Sequence, residues 1–277
     1  MDNQVITDYQ NGMSLAKCAA KYQEDKRKVR KFLADNGINI RDRREQCVLE
    51  NQHRGYSLNH NYFSVIDSDK KAYYLGFIAA DGCVSSKNNS IKIALSEVDV
   101  LQLKYFKDAI ESRAPIKHYT TNNGFNIVQF SISSKQMKYD LQKYSIVPNK
   151  TYKGLSMKNI PEQYQLPFFF GYYDGDGSFS WNKNTRQGAL KVTGHTKGIL
   201  EEFAKMLPKT LQYDLKPKIY YAKERNIYSL EFSTLPSIKI LDTLYAFTSI
   251  YWMDRKYRKF QEFKDYRIYN PRAKTSL

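Results

Sequence analysis

Between Val5 and Arg41, in VITDYQNGMSLAKCAAKYQEDKRKVRKFLADNGINIR, apolar residues recur every three or four positions with polar residues between them. That spacing is helical. Gly12 and the capping residues Ser14 and Asp25 cut the run into three short helices, the third opening at Asp25. This third helix turns Val29 and Leu33 inward and presents Lys26, Arg27 and Arg30 on its other side. Residues 1–45 are therefore expected to form a small all-α domain in helix-turn-helix order, suited to entering a DNA major groove. A three-helix packing domain with a merely solvated basic face is the competing reading. Residues 46–68 lose the periodicity and are expected to be a linker.

From residue 69 onward the pattern repeats. YYLGFIAADGCVS at 73–85 matches FFFGYYDGDGSFS at 168–180. Alternating apolar and polar positions follow each, in SIKIALS and GALKVTGH, then an amphipathic helix. Its stripe is expected at Val98, Leu101, Tyr105, Ala109 and Ile110 in the first copy, and at Ile199, Phe203 and Leu207 in the second. Two strands joined by turn residues come next in each copy, and a helical segment closes it. The order αββαββα, twice, predicts an α+β chain with two antiparallel sheets. Repeat 1 spans 69–160, repeat 2 spans 161–265, and 266–277 is a tail. Ile91, Ile93 and Leu95 point toward the helices, which turns Lys92, Ala94 and Ser96 outward. The same parity turns out Lys117, Tyr119, Gln129 and Ser131, and in repeat 2 Ser178, Ser180, Asn182, Lys191, Thr193, Lys216, Lys218 and Tyr220. A slip of one residue would invert each set.

Composition adds a partner to this architecture. Of 277 residues, 44 are Lys or Arg and 28 Asp or Glu, a formal charge of +16. Such a field suits an extended polyanion, and aromatic rings interleaved with the basic residues, as in KPKIYYAKERNIYSLEF, favour nucleic acid. No apolar stretch is long enough for a bilayer, and MDNQVITDYQ lacks the order of a signal peptide, so an intracellular protein is expected, in cytoplasm or nucleoid, an organelle or a phage-infected cell. Cys18, Cys47 and Cys83 lack zinc or disulfide spacing and read as reduced, mostly buried thiols.

The segments ending in Asp81 and Asp176, 95 residues apart, resemble the paired motifs of single-chain LAGLIDADG homing endonucleases, a likeness covering about residues 69–265. The N-terminal unit is similar to the small DNA-binding domains of resolvases and phage regulators. In the motif, Gly76 and Ala80, and Gly171 and Gly175, are small residues four apart, so two helices could pack backbone to backbone. The resemblance implies that Asp81 and Asp176 meet at a pseudo-twofold axis and hold Mg²⁺ or Mn²⁺ together with Ala80 and Gly175, and that they cut both strands of a long asymmetric DNA duplex as a monomer, leaving short 3′ overhangs. Lys150 and Lys256 are the basic candidates by repeat position, with Lys153 and Arg258 as nearby substitutes and a plain phosphate or surface contact as the competing reading. Asp174 has Ala79 as its counterpart and is expected to be a structural partner at the helix end. An intron maturase binding RNA, an inactive DNA-binding regulator of the same fold, and an intein nuclease are the alternatives; both acids are present, and no splicing residues are seen at the ends.

Overall fold

The structure, a computed structural model, describes residues 2–43, 45–46 and 56–269. The chain divides into two compact units, residues 1–56 and 57–277.

In the smaller unit, α1 (Gln4–Gln10), α2 (Leu15–Lys21) and α3 (Lys26–Asp35) pack around Val5, Tyr9, Cys18, Ala19, Val29 and Leu33. Ser14 and Asp25 cap α2 and α3 as the sequence predicts, accepting from the backbone N–H of Lys17 and Arg27. Lys26, Arg27 and Arg30 are exposed along α3. Arg41 closes the unit from behind. Its guanidinium lies 4.0 Å from the Tyr9 ring centroid and donates to the carbonyls of Tyr9 and Met13.

The larger unit holds both repeats. Repeat 1 runs α4 (Asp69–Asp81), β1 (Gly82–Val84), β2 (Ser90–Ser96), α5 (Val100–Ala109), β3 (Ile116–Thr120), β4 (Asn126–Ser133), α6 (Lys135–Lys143) and α7 (Lys150–Lys153). Repeat 2 runs α8 (Gln165–Asp176), β5 (Gly177–Asn182), β6 (Gln187–Gly194), α9 (Lys197–Leu211), β7 (Lys218–Ala222), β8 (Ile227–Phe232), α10 (Thr234–Leu244) and α11 (Asp254–Tyr269). Each repeat builds one antiparallel four-stranded sheet, ordered β1-β2-β4-β3 and β5-β6-β8-β7. The alternation in β2 buries Ile91, Ile93 and Leu95 and exposes Lys92, Ala94 and Ser96. On the first sheet, Lys117, Gln129 and Ala94 form one row across the strands, and Lys92 and Ser131 another.

Several expectations are corrected. Residues 57–68, within the expected linker, belong to the larger unit: Tyr62, Phe63 and Ile66 are buried, and the backbone bonds Asn59 to Ile110 and Arg113 to Ser57. The expected tail begins inside α11, which continues to Tyr269. The stripe on α5 holds at Ile110, which is buried, and at Tyr105 and Ala109, which pack against the core, but not at its start: Val98 precedes the helix, Leu101 stays exposed, and Leu103 and Phe106 turn inward instead. Cys83 is exposed, since it alternates with the buried Gly82 and Val84 in β1. Lys216 precedes β7 in a left-handed turn, φ +44°, beside Asp214. Cys47 and residues 270–277 lie outside the described residues.

Candidate active site

α4 and α8 have no polar face. From Ala72 to Ala79 and from Leu166 to Asp174 every residue is buried, which identifies them as central core helices. They lie backbone against backbone. A Cβ on Gly171 would stand 1.8 Å from the Tyr73 carbonyl oxygen, and one on Gly76 would stand 1.9 Å from that of Phe168. Only glycine fits either place. Further along the seam a Cβ on Gly175 would stand 2.3 Å from the Ala80 Cβ and 3.2 Å from an Asp81 carboxylate oxygen.

Both helices end where they leave the seam. Gly82 and Gly177 follow with extended backbone, φ −73° and −98°, so they are not left-handed caps. They are small for another reason: a Cβ on either would strike the helix's own last turn, 2.5 Å from the carbonyl oxygens of Ile78 and Tyr173. The chain passes from helix to strand without a loop. Asp81 and Asp176 are thereby held at the junctions of α4 with β1 and of α8 with β5.

The two acids feel each other. Burial first, then Asp176, pushes the Asp81 carboxyl up to about 7, with Lys256 and Lys150 pulling against that rise. Burial among the surrounding atoms also raises Asp176, although its own surface is more solvent-exposed than that of Asp81; Lys150, Lys256 and His195 oppose the shift. Because its folded-state pKa lies above the ordinary value, Asp81 retains a proton that the unfolded chain has released. Its contribution to stability is whole below the ordinary pKa of about 4 and disappears as pH rises through about 7. In chelator, wild-type melting temperature should therefore fall relative to Asp81→Asn between roughly pH 5 and pH 8. Thermal melts across that range check this, and parallel curves would refute the raised carboxyl.

The lysines at matching repeat positions are placed differently. Lys150 on α7 donates to the Ala80 carbonyl at 2.9 Å, so the backbone oxygen of a residue expected to help hold the cation already accepts from an ammonium. Burial lowers Lys150, with Asp176 and then Asp81 holding it up. Lys256 on α11 spends its three N–H groups on the carbonyls of Tyr173, Asp174 and Gly177, at 2.7, 2.7 and 2.6 Å. It caps the end of α8, taking orphan carbonyls on either side of Gly175. Burial draws this ammonium down to about 8.

Asp174 lies behind the seam and is fully buried. Its Oδ2 accepts from the Tyr73 hydroxyl at 2.6 Å and from the Met253 backbone N–H at 3.0 Å, while Gln102 donates to that same hydroxyl at 2.7 Å. Burial raises its carboxyl, and Lys256 is the largest opposing influence. One acid thus joins α4 and α5 of repeat 1 to α8 and the start of α11. Arg255 adds a second link, its Nε lying 2.8 and 2.9 Å from the two oxygens of Asp99. Neither Gln102, Tyr73 nor Asp99 stands out in the sequence, because ordinary helical polar residues look the same before their neighbours are known.

On the second sheet Ser178, Ser180, Asn182, Lys218 and Tyr220 are exposed, and Lys191 and Thr193 are half-buried. Lys191 is tied to Glu231 at 2.8 Å, and Asn182 turns its Oδ1 to the backbone N–H of Asn184 and Thr185. Thr193 gives its hydroxyl to the Asp176 carbonyl. His195, just beyond the end of β6, shares a cavity of about 50 Å³ with Lys150 and Asp176. Aligning the two repeats, which differ here, was the one available signal for it.

The donor set suits a hard divalent cation that keeps water or phosphate on its remaining positions. Two neighbouring carboxylates, both raised chiefly by burial, are what such an ion relieves. Among the described residues, no group of three or more His, Cys, Asp or Glu residues could form an all-protein cage. No helix among them is long and apolar enough to cross a membrane.

A comparison of the sequence with curated proteins found no match. Solved structures similar in shape include the I-LtrWI LAGLIDADG homing endonuclease bound to target DNA, at 13% identity and TM-score 0.45, covering 77% of this chain and 92% of that one. I-DmoI in complex with DNA and Ca is similar at 16% identity and TM-score 0.46, covering 73% and 99%. The meganuclease I-SmaMI bound to uncleavable DNA is similar at 16% identity and TM-score 0.45, covering 70% and 88%. The family model of the LAGLIDADG-like domain matches residues 163–243, from just before α8 into α10. Repeat 2 thus carries a LAGLIDADG-like domain, and repeat 1 follows the same order of elements and the same sheet topology.

Proposed function

We propose that the chain is a site-specific double-strand DNA endonuclease, hydrolysing one phosphodiester in each strand of a long asymmetric target and leaving short 3′ overhangs. The observation that carries this reading is the convergence of Asp81 and Asp176, one from each repeat, at the ends of two helices packed too closely to admit a side chain at Gly76 or Gly171. Mg²⁺ or Mn²⁺ held by the two carboxylates would supply neutralisation of phosphate charge and activation of water. I-DmoI is described with DNA and Ca, and I-LtrWI with target DNA.

The chain's own residues divide the remaining work. Lys150 keeps two N–H groups beyond its bond to Ala80 and faces the side of Asp176, where it can hold a non-bridging phosphate oxygen as negative charge grows. Lys256, engaged by three carbonyls, fixes the α8 end and acts by positioning Asp176. On the outward sheet faces, Gln129, Asn182, Lys117 and Lys218 can read base edges, while Lys92, Tyr119, Ser131, Ser178, Ser180, Lys191, Thr193 and Tyr220, with Lys216 in the turn before β7, contact backbone or bases around them. The exposed Lys26, Arg27 and Arg30 would extend the site through the smaller unit. A chain holding both halves acts as a monomer.

The test is a cleavage selection from a randomised duplex library in Mg²⁺. The expected product is one asymmetric sequence family with 3′ overhangs; a library left uncut by active-concentration protein would reject the reading.

A further inference from the structure

The two ends of the site are unlike, and His195 is where they differ most. The sheet registers align the repeats: Gly82 faces Ile93 and Gly177 faces Val192, so Ile93 corresponds to Val192. Counting three residues onward, His195 corresponds to Ser96. At this matched position the half built on Asp176 has an imidazole and the half built on Asp81 a serine.

Its geometry is specific. The His195 Nδ1 lies 3.1 Å from the Asn226 carbonyl oxygen. A carbonyl can only accept, so Nδ1 carries a hydrogen, and the ring nitrogen that can serve as an acceptor is Nε2. The Tyr152 ring lies beside it, centroids 6.0 Å apart and planes tilted by 48°. The cavity of about 50 Å³ that His195 lines also holds Lys150, a donor, and Asp176, an acceptor. That is room for a water and enough polar partners to order one. The matching lysine of repeat 2, Lys256, has no N–H left to offer, because all three go to carbonyls around the end of α8.

We propose that His195 is a catalytic residue for one strand only: its Nε2 accepts a hydrogen bond from the water that attacks the phosphodiester at the Asp176 end, aiming that water's lone pair at phosphorus; the new P–O bond replaces the P–O bond to the sugar oxygen that leaves, the water's proton passes to solvent, and the leaving oxygen takes one from solvent. The inference rests on the endonuclease reading and deepens it, because it makes the two cuts chemically distinct. Cutting at the Asp81 end proceeds without an imidazole.

The test follows each strand separately on a duplex carrying the selected target, with a different label on each strand. His195→Ala should slow one strand about a hundredfold, the lower end for loss of a positioned group that handles the attacking water, and leave the other within about twofold. Nicked duplex should then accumulate. His195→Gln, which returns an acceptor oxygen, should restore part of the rate. Equal slowing of both strands, or of neither, would overturn the proposal. A second readout does not depend on cutting: ring ¹⁵N spectra, assigned by the signal missing from His195→Gln, should show the hydrogen on Nδ1, and a hydrogen on Nε2 would overturn it. If the wild-type protein cuts no duplex, the endonuclease reading fails first and carries this inference with it, before any variant is compared.

Discussion

Asp81→Asn and Asp176→Asn will each cut target duplex at least about a thousandfold more slowly than wild type, the loss typical when a preorganised charge is removed from a reacting centre. Both proteins will still fold and bind the duplex in Ca²⁺. The argument is electrostatic. An amide is nearly the shape of a carboxylate, so the seam beside Gly175 is undisturbed, and burying a neutral group where Asp81 is already raised to about 7 costs the fold nothing. What disappears is one of the two negative charges that would hold the divalent ion. Filter binding in Ca²⁺ and single-turnover cleavage in Mg²⁺ separate the two effects. Undiminished double-strand cutting by either variant would remove the metal site from these residues; loss of binding together with loss of cutting would mean that the acids shape the protein and not the chemistry.

Gly171→Ala should lower the melting temperature of the larger unit by roughly 10 °C. The added methyl would lie 1.8 Å from the Tyr73 carbonyl oxygen and 2.8 Å from the Phe77 nitrogen. Both are backbone atoms, so no rotamer change relieves the clash and the helices must part along their whole contact. Overpacking of this kind costs about 3 kcal/mol, and each kcal/mol moves a unit of this size by about 2–4 °C. Gly198→Ala is the control, because a Cβ there meets nothing within 4 Å. Its melting temperature should be unchanged or slightly higher, since alanine is the better helix former in the first turn of α9. Equal melting of Gly171→Ala and wild type, followed by circular dichroism, would show that the seam is looser than its geometry says.

Much of this was legible before any coordinates. Local signals carried it: Ser14 and Asp25 cap their helices because their side chains answer the adjacent backbone, and Ile91, Ile93 and Leu95 face the core because strand parity admits little else. The duplicated glycines marked the seam for the same reason, since small residues four apart in two copies have few other uses. The illegible parts depend on partners remote in sequence. Residues 57–68 look like a linker, yet Phe63 is buried in the core of the larger unit and Asn59 bonds to Ile110. Lys150 and Lys256 occupy matching positions, but α11 brings Lys256 within reach of three carbonyls where Lys150 reaches only that of Ala80. The stripe on α5 failed only at its start, where Val98 lies in the turn at Glu97–Asp99 ahead of the helix and Leu101 falls on the exposed side.

The bond from the Tyr73 hydroxyl to Asp174 constrains any attempt to rebuild the molecule from one half. The position matching Tyr73 in repeat 2 is Phe168, which carries no hydroxyl, and the position matching Asp174 in repeat 1 is Ala79. Two copies of repeat 2 would bring two sunken carboxyls to a junction where neither finds that donor, and two copies of repeat 1 would leave two hydroxyls there without their acceptor. The duplication has become irreversible at its centre, each half completing the other, and a shortened, self-pairing version would need that polar contact designed out first.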